Sequence, residues 1–541
     1  MAARRSSMFG KAAAGRIVGT PEDDSLQGTD GNDVFDLRGG GYDSASGLAG
    51  RDVFYVGARA GSVEIDGGGN ADIVILQGDY SDGLYLERIA NLGHLGSLSL
   101  LSSANDLYGG GAAAANVYTL IASDRLVAAG QVLKVNAGGL GPGEPLFFDG
   151  SEETDGAFWI YGGKGYDTLR GGAGDDLFIF GPDGRYEYDR VDGGGGHDTI
   201  VLRGQYDTVF GDGGMTSNVE TLRLLSSSDA SFGGGGGGGP FHYTIELGDS
   251  SSRPGSLFTV DARGLQADET LVVDARDETD GPVRIHAGSG ANYLFGGGGA
   301  DQFVFGPGAD PGAAVIHGGP GYDVLYLRGD HRVGLGFADM LNGVESVALL
   351  SRHDTGFGSG GGDGAFDYHL YLGDGVAAPG GSFTVNGSRL AADESMTIDG
   401  RDVLSGSLRI FGGAGDDELI GGAGADLIAG GGGGDILTGN GGADLFRFQS
   451  VGDGFDFIRD FAPGVDRIDL SRIDADPTAA GDQSFAFVGP ETSAPPAGTV
   501  RVRYHDDIWV VEIHLDGDFL ADLQIYLAPA GAPLTAADFL L

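Results

Sequence analysis

The chain has no cysteine. Disulfide scaffolds, thiol nucleophiles and thiolate metal sites are excluded together. Long apolar runs are missing too: nothing approaches the roughly 18 residues that a membrane-crossing helix needs. Basic residues are scarce, 32 against 78 acidic ones, for a formal charge of −46. A polyanion gains nothing from phosphates and releases no counterions, so nucleic acid is excluded as a default partner, and an anionic membrane surface with it. Arg4 and Arg5 lie near the N-terminus, but no continuous apolar stretch of signal-peptide length follows them.

Glycine is what the chain has in excess, 107 of 541 residues, against a usual share of about 7%. Such a composition borders on disorder, yet hydrophobic residues still make up 41%. The glycines also recur at fixed intervals. They do not fall at every third position, which excludes collagen.

The short interval is nine. From Gly412 the chain reads GGAGDDELI, GGAGADLIA, GGGGGDILT and GNGGADLFR. Asp417, Asp426, Asp435 and Asp444 hold the sixth position, and Leu419, Ile428, Leu437 and Phe446 the eighth. Copies from Gly19 onward place Asp24, Asp33, Asp43 and Asp52 at the sixth position, and later copies place Asp72, Asp167, Asp176, Asp198, Asp301 and Asp323 there. One copy, AGSGANYLF, carries Asn292 instead and reads as a weaker site. Such a nonapeptide is the signature of a calcium-binding parallel β-helix.

The spacing has a chemical reason. Glycine permits tight turns and lets carbonyl oxygens point into the gap between neighbouring coils. The sixth-position Asp adds a carboxylate, and carboxylate plus carbonyl oxygens suit Ca²⁺, which takes six to eight such ligands. The apolar eighth residue points inward and stacks on its equivalent one coil away. Asp43 and Asp72 have irregular neighbours, so the register supports them less directly.

A long interval of 125 overlies the short one. NVYTLIASD, FHYTIELGD and FDYHLYLGD start at Asn116, Phe241 and Phe366. Short alternating runs separated by Gly, Asp and Pro clusters read as strands, with almost no helical period. The expected fold is all-β: a repetitive calcium-binding parallel β-roll or β-helix solenoid built from three units of about 125 residues. The expected divisions are a flexible tail 1–16, an N-terminal nonapeptide block 17–66, repeat units 67–192, 193–317 and 318–411, a C-terminal nonapeptide block with capping segment 412–483, and a terminal region 484–541. Each unit has a glycine-rich tip at an equivalent place (109–115, 233–239 and 358–364), read as an exposed loop.

The nonamers resemble the repeats-in-toxin (RTX) family of bacterial secreted proteins. FDFIRDFAPGVDRIDLSRID from Phe455, SFAFVG, LDGDFLADLQIYL and LTAADFLL extend the resemblance to the serralysin C-terminal domain over residues 408–541. That resemblance implies an uncleaved type I secretion signal, matched by Asp538, Phe539, Leu540 and Leu541, and therefore the type I secretion machinery as a partner. It also implies export of an unfolded chain from a Gram-negative bacterium. The chain departs from a serralysin in one respect: none of its ten His is followed by Glu, so the H-E-x-x-H zinc-protease constellation is absent. His197, His286 and His317 adjoin nonamers and read as solvated. No nucleophile elbow, P-loop or dinucleotide fingerprint is present, and no catalytic residue is assigned.

Three functions remain open. End-to-end repeats favour a non-catalytic protein of the cell surface or extracellular matrix that self-assembles as a surface layer or filament with Ca²⁺, its partner being itself. An adhesin or carbohydrate-binding biofilm matrix protein is the alternative, with cell-surface polysaccharide as partner and Phe158, Trp159 and Tyr161 as stacking candidates. A polysaccharide-modifying enzyme is the third, since parallel β-helices can host such sites.

Overall fold

A computed structural model describes residues 16–541 apart from 59–62, 70, 90–94, 107–113, 183–188, 212–214, 233–238, 250–254, 280, 338–339, 358–363, 490–494, 519 and 529–531. Arg4, Arg5, nearly all of the expected tail and most of the three glycine-rich tips thus lie outside the described residues. The chain divides into two compact units, Met1–Pro282 and Val283–Leu541.

The logic of both is clearest in the tandem nonamers of the second unit. Each nonamer supplies a three-residue strand and a six-residue turn, and successive strands alternate between two sheets. Glu418–Ile420 pairs with Ile436–Thr438 in one sheet, and Leu427–Ala429 pairs with Leu445–Arg447 in the other. Two nonamers therefore make one coil. Parallel pairing ordinarily needs a long crossover; here the chain returns by way of the opposite sheet, so two short turns suffice. The middle residue of each strand points inward, and Leu419, Ile428, Leu437 and Phe446 are all fully buried. Burial of each such side chain contributes about 1.5–3 kcal/mol. The structure is a parallel β-roll solenoid, nearly all β, as the nonamer spacing predicts.

The same sheet runs upstream in the second unit through Val283–His286, Gln302–Phe305, Val324–Arg328, Ser346–Leu350, Ser382–Asn386 and Ser407–Phe411, all parallel. Towards the other end the regularity stops. In the opposite sheet Leu523–Leu527 pairs parallel with Phe455–Ile458, and Ile508–His514 runs antiparallel between Leu523–Leu527 and Thr499–His505.

In the first unit the corresponding sheet carries Arg16–Val18, Val34–Asp36, Val53–Gly57 and Asp72–Gln77 in parallel order, then Leu95–Leu101, Val132–Asn136, Ala157–Tyr161, Leu177–Phe180, Thr199–Leu202, Thr221–Leu224 and Phe258–Asp261. Aromatic side chains stack inside from coil to coil; Phe35 and Phe54 lie 4.7 Å apart, ring to ring.

Between the nonamer stretches, longer coils are fastened by two further groups spaced 125 residues apart. The buried hydroxyls of Tyr118, Tyr243 and Tyr368 donate to the carbonyls of Leu101, Leu225 and Leu350, each at 2.6 Å. The carboxylates of Glu144, Glu269 and Glu394 accept the amides of Gly141, Gln266 and Ala391, each at 2.8 Å. They also accept amides from Ser103, Ser227 and Arg352 on neighbouring turns. No helix of the described residues is long and apolar enough to cross a membrane.

Candidate metal centres

The sixth-position aspartates lead into the strands, and the turn geometry pins Asp417 and Asp426 twice. Gly413 and Gly422 donate their amides to Oδ2 of Asp417 and Asp426, four residues on, at 2.7 and 2.6 Å. The other oxygen, Oδ1, accepts an amide from the preceding coil. Asp417 donates to Asp435 and Asp426 to Asp444, each at 2.9 Å. These links form two ladders, because successive nonamers turn at opposite edges of the roll.

The ladders reach every aspartate that the nonamer register singles out. In the first unit Asp24 donates to Asp43, Asp33 to Asp52, and Asp52 to Asp72. Asp43 and Asp72 thus stand in line despite their irregular neighbours. Leu146 donates to Asp167 and Asp176 to Asp198. In the second unit Val283 donates to Asp301 and Asp301 to Asp323. Of the fourteen candidates, Asp24 alone is only half-buried; the other thirteen are buried.

Each shelf is lined by oxygen. A methyl group added to Gly318 would meet Oδ2 of Asp323 and the carbonyl oxygen of Gly343, and one added to Gly412 would meet Oδ2 of Asp417 and the carbonyl of Gly430. Glycine at the first position therefore keeps open a gap whose walls are a carboxylate and a carbonyl. Oδ2 of Asp43, Asp52, Asp198 and Asp323 is buried with no hydrogen-bond donor. A buried anionic oxygen without a partner is costly, and a hard cation is the partner that this donor set fits. A positive φ is required only at some turns, such as Gly431 (99°) and Gly433 (108°). Elsewhere glycine is needed for close approach, not for backbone sign.

Burial governs the electrostatics. Desolvation pushes Asp167, Asp176, Asp417 and Asp426 up to about 6, against the pull of the amides they accept. Asp198, Asp323 and Asp444 rise to about 7, where neighbouring carboxylates add repulsion to burial. Asp435 and Asp456 are both raised, by burial first and then by neighbouring carboxylates, that of Asp456 acting on Asp435 and those of Asp453 and Asp416 on Asp456. Carboxylates in this state bind a proton or a cation readily and tolerate neither's absence well.

The ladders also contain residues outside the nonamer register. Asp167 donates to Asp189, Asp198 to Glu220, Asp323 to Glu345, Asp435 to Asp456 and Asp444 to Asp466. Each of these acids comes one or two residues before an apolar side chain of a short strand, but altered turns have erased the glycines that mark a nonamer. Asn292 behaves differently. Its amide nitrogen donates to the carbonyls of Gly288 and Gly290, at 3.0 and 2.7 Å. A neutral side chain thus occupies the carbonyls that an ion would use, in keeping with a weaker site.

Several expectations need correction. His286 is buried, not solvated, because it ends the strand Val283–His286 and so belongs to the sheet. His317 is half-buried and stacks on Phe295 at 5.1 Å, whereas His197 is exposed as expected. Phe158 cannot stack on a sugar: it is fully buried, since alternation along Ala157–Tyr161 turns it inward and Trp159 and Tyr161 outward.

Residues 400–541 match the family described as peptidase M10 serralysin C terminal. Segments 9–41, 155–184, 187–214 and 284–310 match the RTX calcium-binding nonapeptide repeat. The chain carries RTX calcium-binding repeats and a serralysin-type C-terminal domain. RTX repeats bind multiple Ca²⁺ ions, and the donor set of the oxygen shelves fits that cation. The chain is a secreted calcium-binding protein with a C-terminal domain of the type I secretion kind. Among curated proteins no relative matches it.

Proposed function

We propose that this RTX protein is a non-enzymatic structural component of a Gram-negative cell surface or extracellular matrix, which self-assembles into a layer or filament when Ca²⁺ binds. Its calcium ligands are the ladder carboxylates Asp24, Asp33, Asp43, Asp52, Asp72, Asp167, Asp176, Asp198, Asp301, Asp323, Asp417, Asp426, Asp435 and Asp444. Asp189, Glu220, Glu345, Asp456 and Asp466 extend the set, and the 125-residue units are its modules. The observation that supports this most is that parallel coils of one kind run through the described strands of the first unit and through those of the second as far as Phe455–Ile458. The sequence also lacks the protease motif that usually accompanies a serralysin-type C-terminal domain. Stacked coils leave extended faces and sheet edges suited to contact with identical copies.

Electron microscopy of the secreted protein with and without millimolar Ca²⁺ tests the proposal. Sheets or filaments that vanish on chelation are expected, and dispersed monomers in both conditions would overturn it. The adhesin reading is favoured by a different observation, a cleft on the outer face of the first unit. Release of unsaturated sugars from an acidic polysaccharide would reverse the non-enzymatic reading.

A further inference from the structure

A cavity of about 490 Å³ opens beside the strand Ala157–Tyr161 in the first unit. Tyr161 and Phe232 form an aromatic corner, their ring centroids 6.5 Å apart and tilted by 58°. Phe232 is itself held against the apolar cluster of Ile179, Val201 and Leu225. Lys164, Arg203, Asn136 and Ser231 supply the polar side chains of the lining. The volume lies within the usual range for small-ligand sites, roughly 300–1,000 Å³.

Charge distinguishes this cleft from the rest of the molecule. The chain has only three lysines, Lys11, Lys134 and Lys164, in a formal charge of −46. Lys164 lines the cleft. Lys134 lies over the ring of Trp159 at 4.7 Å, on the same outward row of the sheet. The buried guanidinium of Arg203 donates to the carbonyl oxygens of Asp229 and Ser227. Backbone supplies the remainder of the wall: a methyl added to Gly139 or Gly181 would meet nothing within 4 Å, so the side-chain position at each faces open space.

The repeat does not reproduce this arrangement. One period on, His286 and Ser289 stand where Tyr161 and Lys164 do, and two periods on stand Phe411 and Ala414. Phe357, the counterpart of Phe232, packs on Tyr326 at 4.4 Å and beneath Arg284 at 5.0 Å. Arg203 recurs as Arg328, but the pairing of Tyr161 with Phe232 beside Lys164 is confined to one copy and is not explained by the coil that all copies share.

We propose that this cleft binds an acidic sugar residue of an extracellular polysaccharide. Tyr161 and Phe232 take the C–H face of the pyranose, Asn136 and the glycine peptides meet its hydroxyls, and Lys164 with Arg203 receives its carboxylate. A ring with one carboxylate suits the site. A densely charged polyanion would be repelled by the surrounding acid, and a neutral sugar would gain no charge complementarity from the cationic lining. The proposal goes beyond the structural reading and does not depend on self-assembly.

The test uses the full chain in millimolar Ca²⁺, with two probes: a trisaccharide carrying a single glucuronate, and a neutral glucose trisaccharide. Calorimetry gives the affinity. Fluorescence of Trp159, isolated in a Trp509→Phe background, reports occupancy. The acidic probe is expected to bind about tenfold or more tightly than the neutral one, the usual worth of a charge-assisted contact. Lys164→Gln should erase that preference, and Gly139→Leu should block both probes while the far-ultraviolet dichroism stays unchanged. Absence of saturable binding, equal affinity for the two probes, or binding indifferent to both substitutions would overturn the proposal. None of these outcomes depends on whether the protein forms sheets or filaments.

Discussion

The amide of Asp426 donates to Oδ1 of Asp444 at 2.9 Å, one full coil further along the chain. The same carboxylates that bear the charge are therefore part of the hydrogen bonding that holds coil to coil. Without a cation the ladder brings buried, like-charged groups into line, at a cost that the hydrogen bonds must offset. With Ca²⁺ the repulsion becomes attraction.

Chelation is thus expected to unfold the repeats. With a dissociation constant of about 10⁻⁴ M and about 1 mM free ion, each independent site contributes roughly 1.4 kcal/mol. A dozen sites would outweigh the net stability of an ordinary domain. Circular dichroism in a strong chelator should show loss of β structure, regained on adding Ca²⁺; an unchanged spectrum would refute a structural role for the ion.

Position along the ladder should grade the effect of substitution. Asp426→Ala strands the amides of Leu408 and Gly422 and removes a ligand, for a loss of about 1–3 kcal/mol. Asp24 is half-buried, so Asp24→Ala should cost less. Thermal unfolding at fixed Ca²⁺ measures both, and equal losses would count against the ladder.

Acid should substitute in part for calcium. For Asp198, Asp323 and Asp444 the folded-state value of about 7 lies above the ordinary 3.8, so the folded form holds more protons. Metal-free stability is then fully present below about pH 4 and is lost as pH rises through about 7. Glu144 runs the other way. Burial would raise it, but hydrogen bonds from the Ser102 hydroxyl and the amides of Gly141 and Ser103 hold it at about 2. Its contribution is present above about pH 4.5 and is lost as pH falls towards 2. In a chelator, the melting temperature should therefore peak near pH 4–5, the reverse of a calcium-loaded sample, in which protons compete with the ion. A metal-free melting temperature that rises steadily from pH 5 to 8 would contradict this.

The tyrosine fastenings should be indifferent to calcium. Tyr243→Phe removes the hydroxyl that donates to Leu225 and accepts from Gly204, a loss of about 1 kcal/mol. Denaturant titrations at low and high Ca²⁺ should give the same difference, whereas Asp426→Ala should show a larger loss in high Ca²⁺.

The sequence was legible where its register was unbroken. Leu419, Ile428, Leu437 and Phe446 could be placed in the core because nine residues fix a strand, a turn and an inward side chain at once. Asp189, Glu220, Asp456 and Asp466 could not be found that way. An altered turn delivers the carboxylate to the same ladder while discarding the glycines that announce it, and only coil-to-coil pairing reveals the equivalence. Glu144 and Tyr118 were hidden for another reason: nothing local marks a glutamate or a tyrosine whose partners lie on a different turn. Phe158 was misplaced because its neighbours Trp159 and Tyr161 are outward, and period two assigns faces only once the strand limits are known.

A coil of two nonamers gives the chain a parity. Deleting one nonamer from the 412–447 run would send every downstream strand to the opposite sheet and every downstream carboxylate to the opposite edge. Deleting two would leave the edges and the sheets where they are. Repeats of this kind can therefore grow or shrink by even numbers while the domain that follows them stays in place, and an odd change must be absorbed at a break in the register such as the turn that leads into Phe455–Ile458.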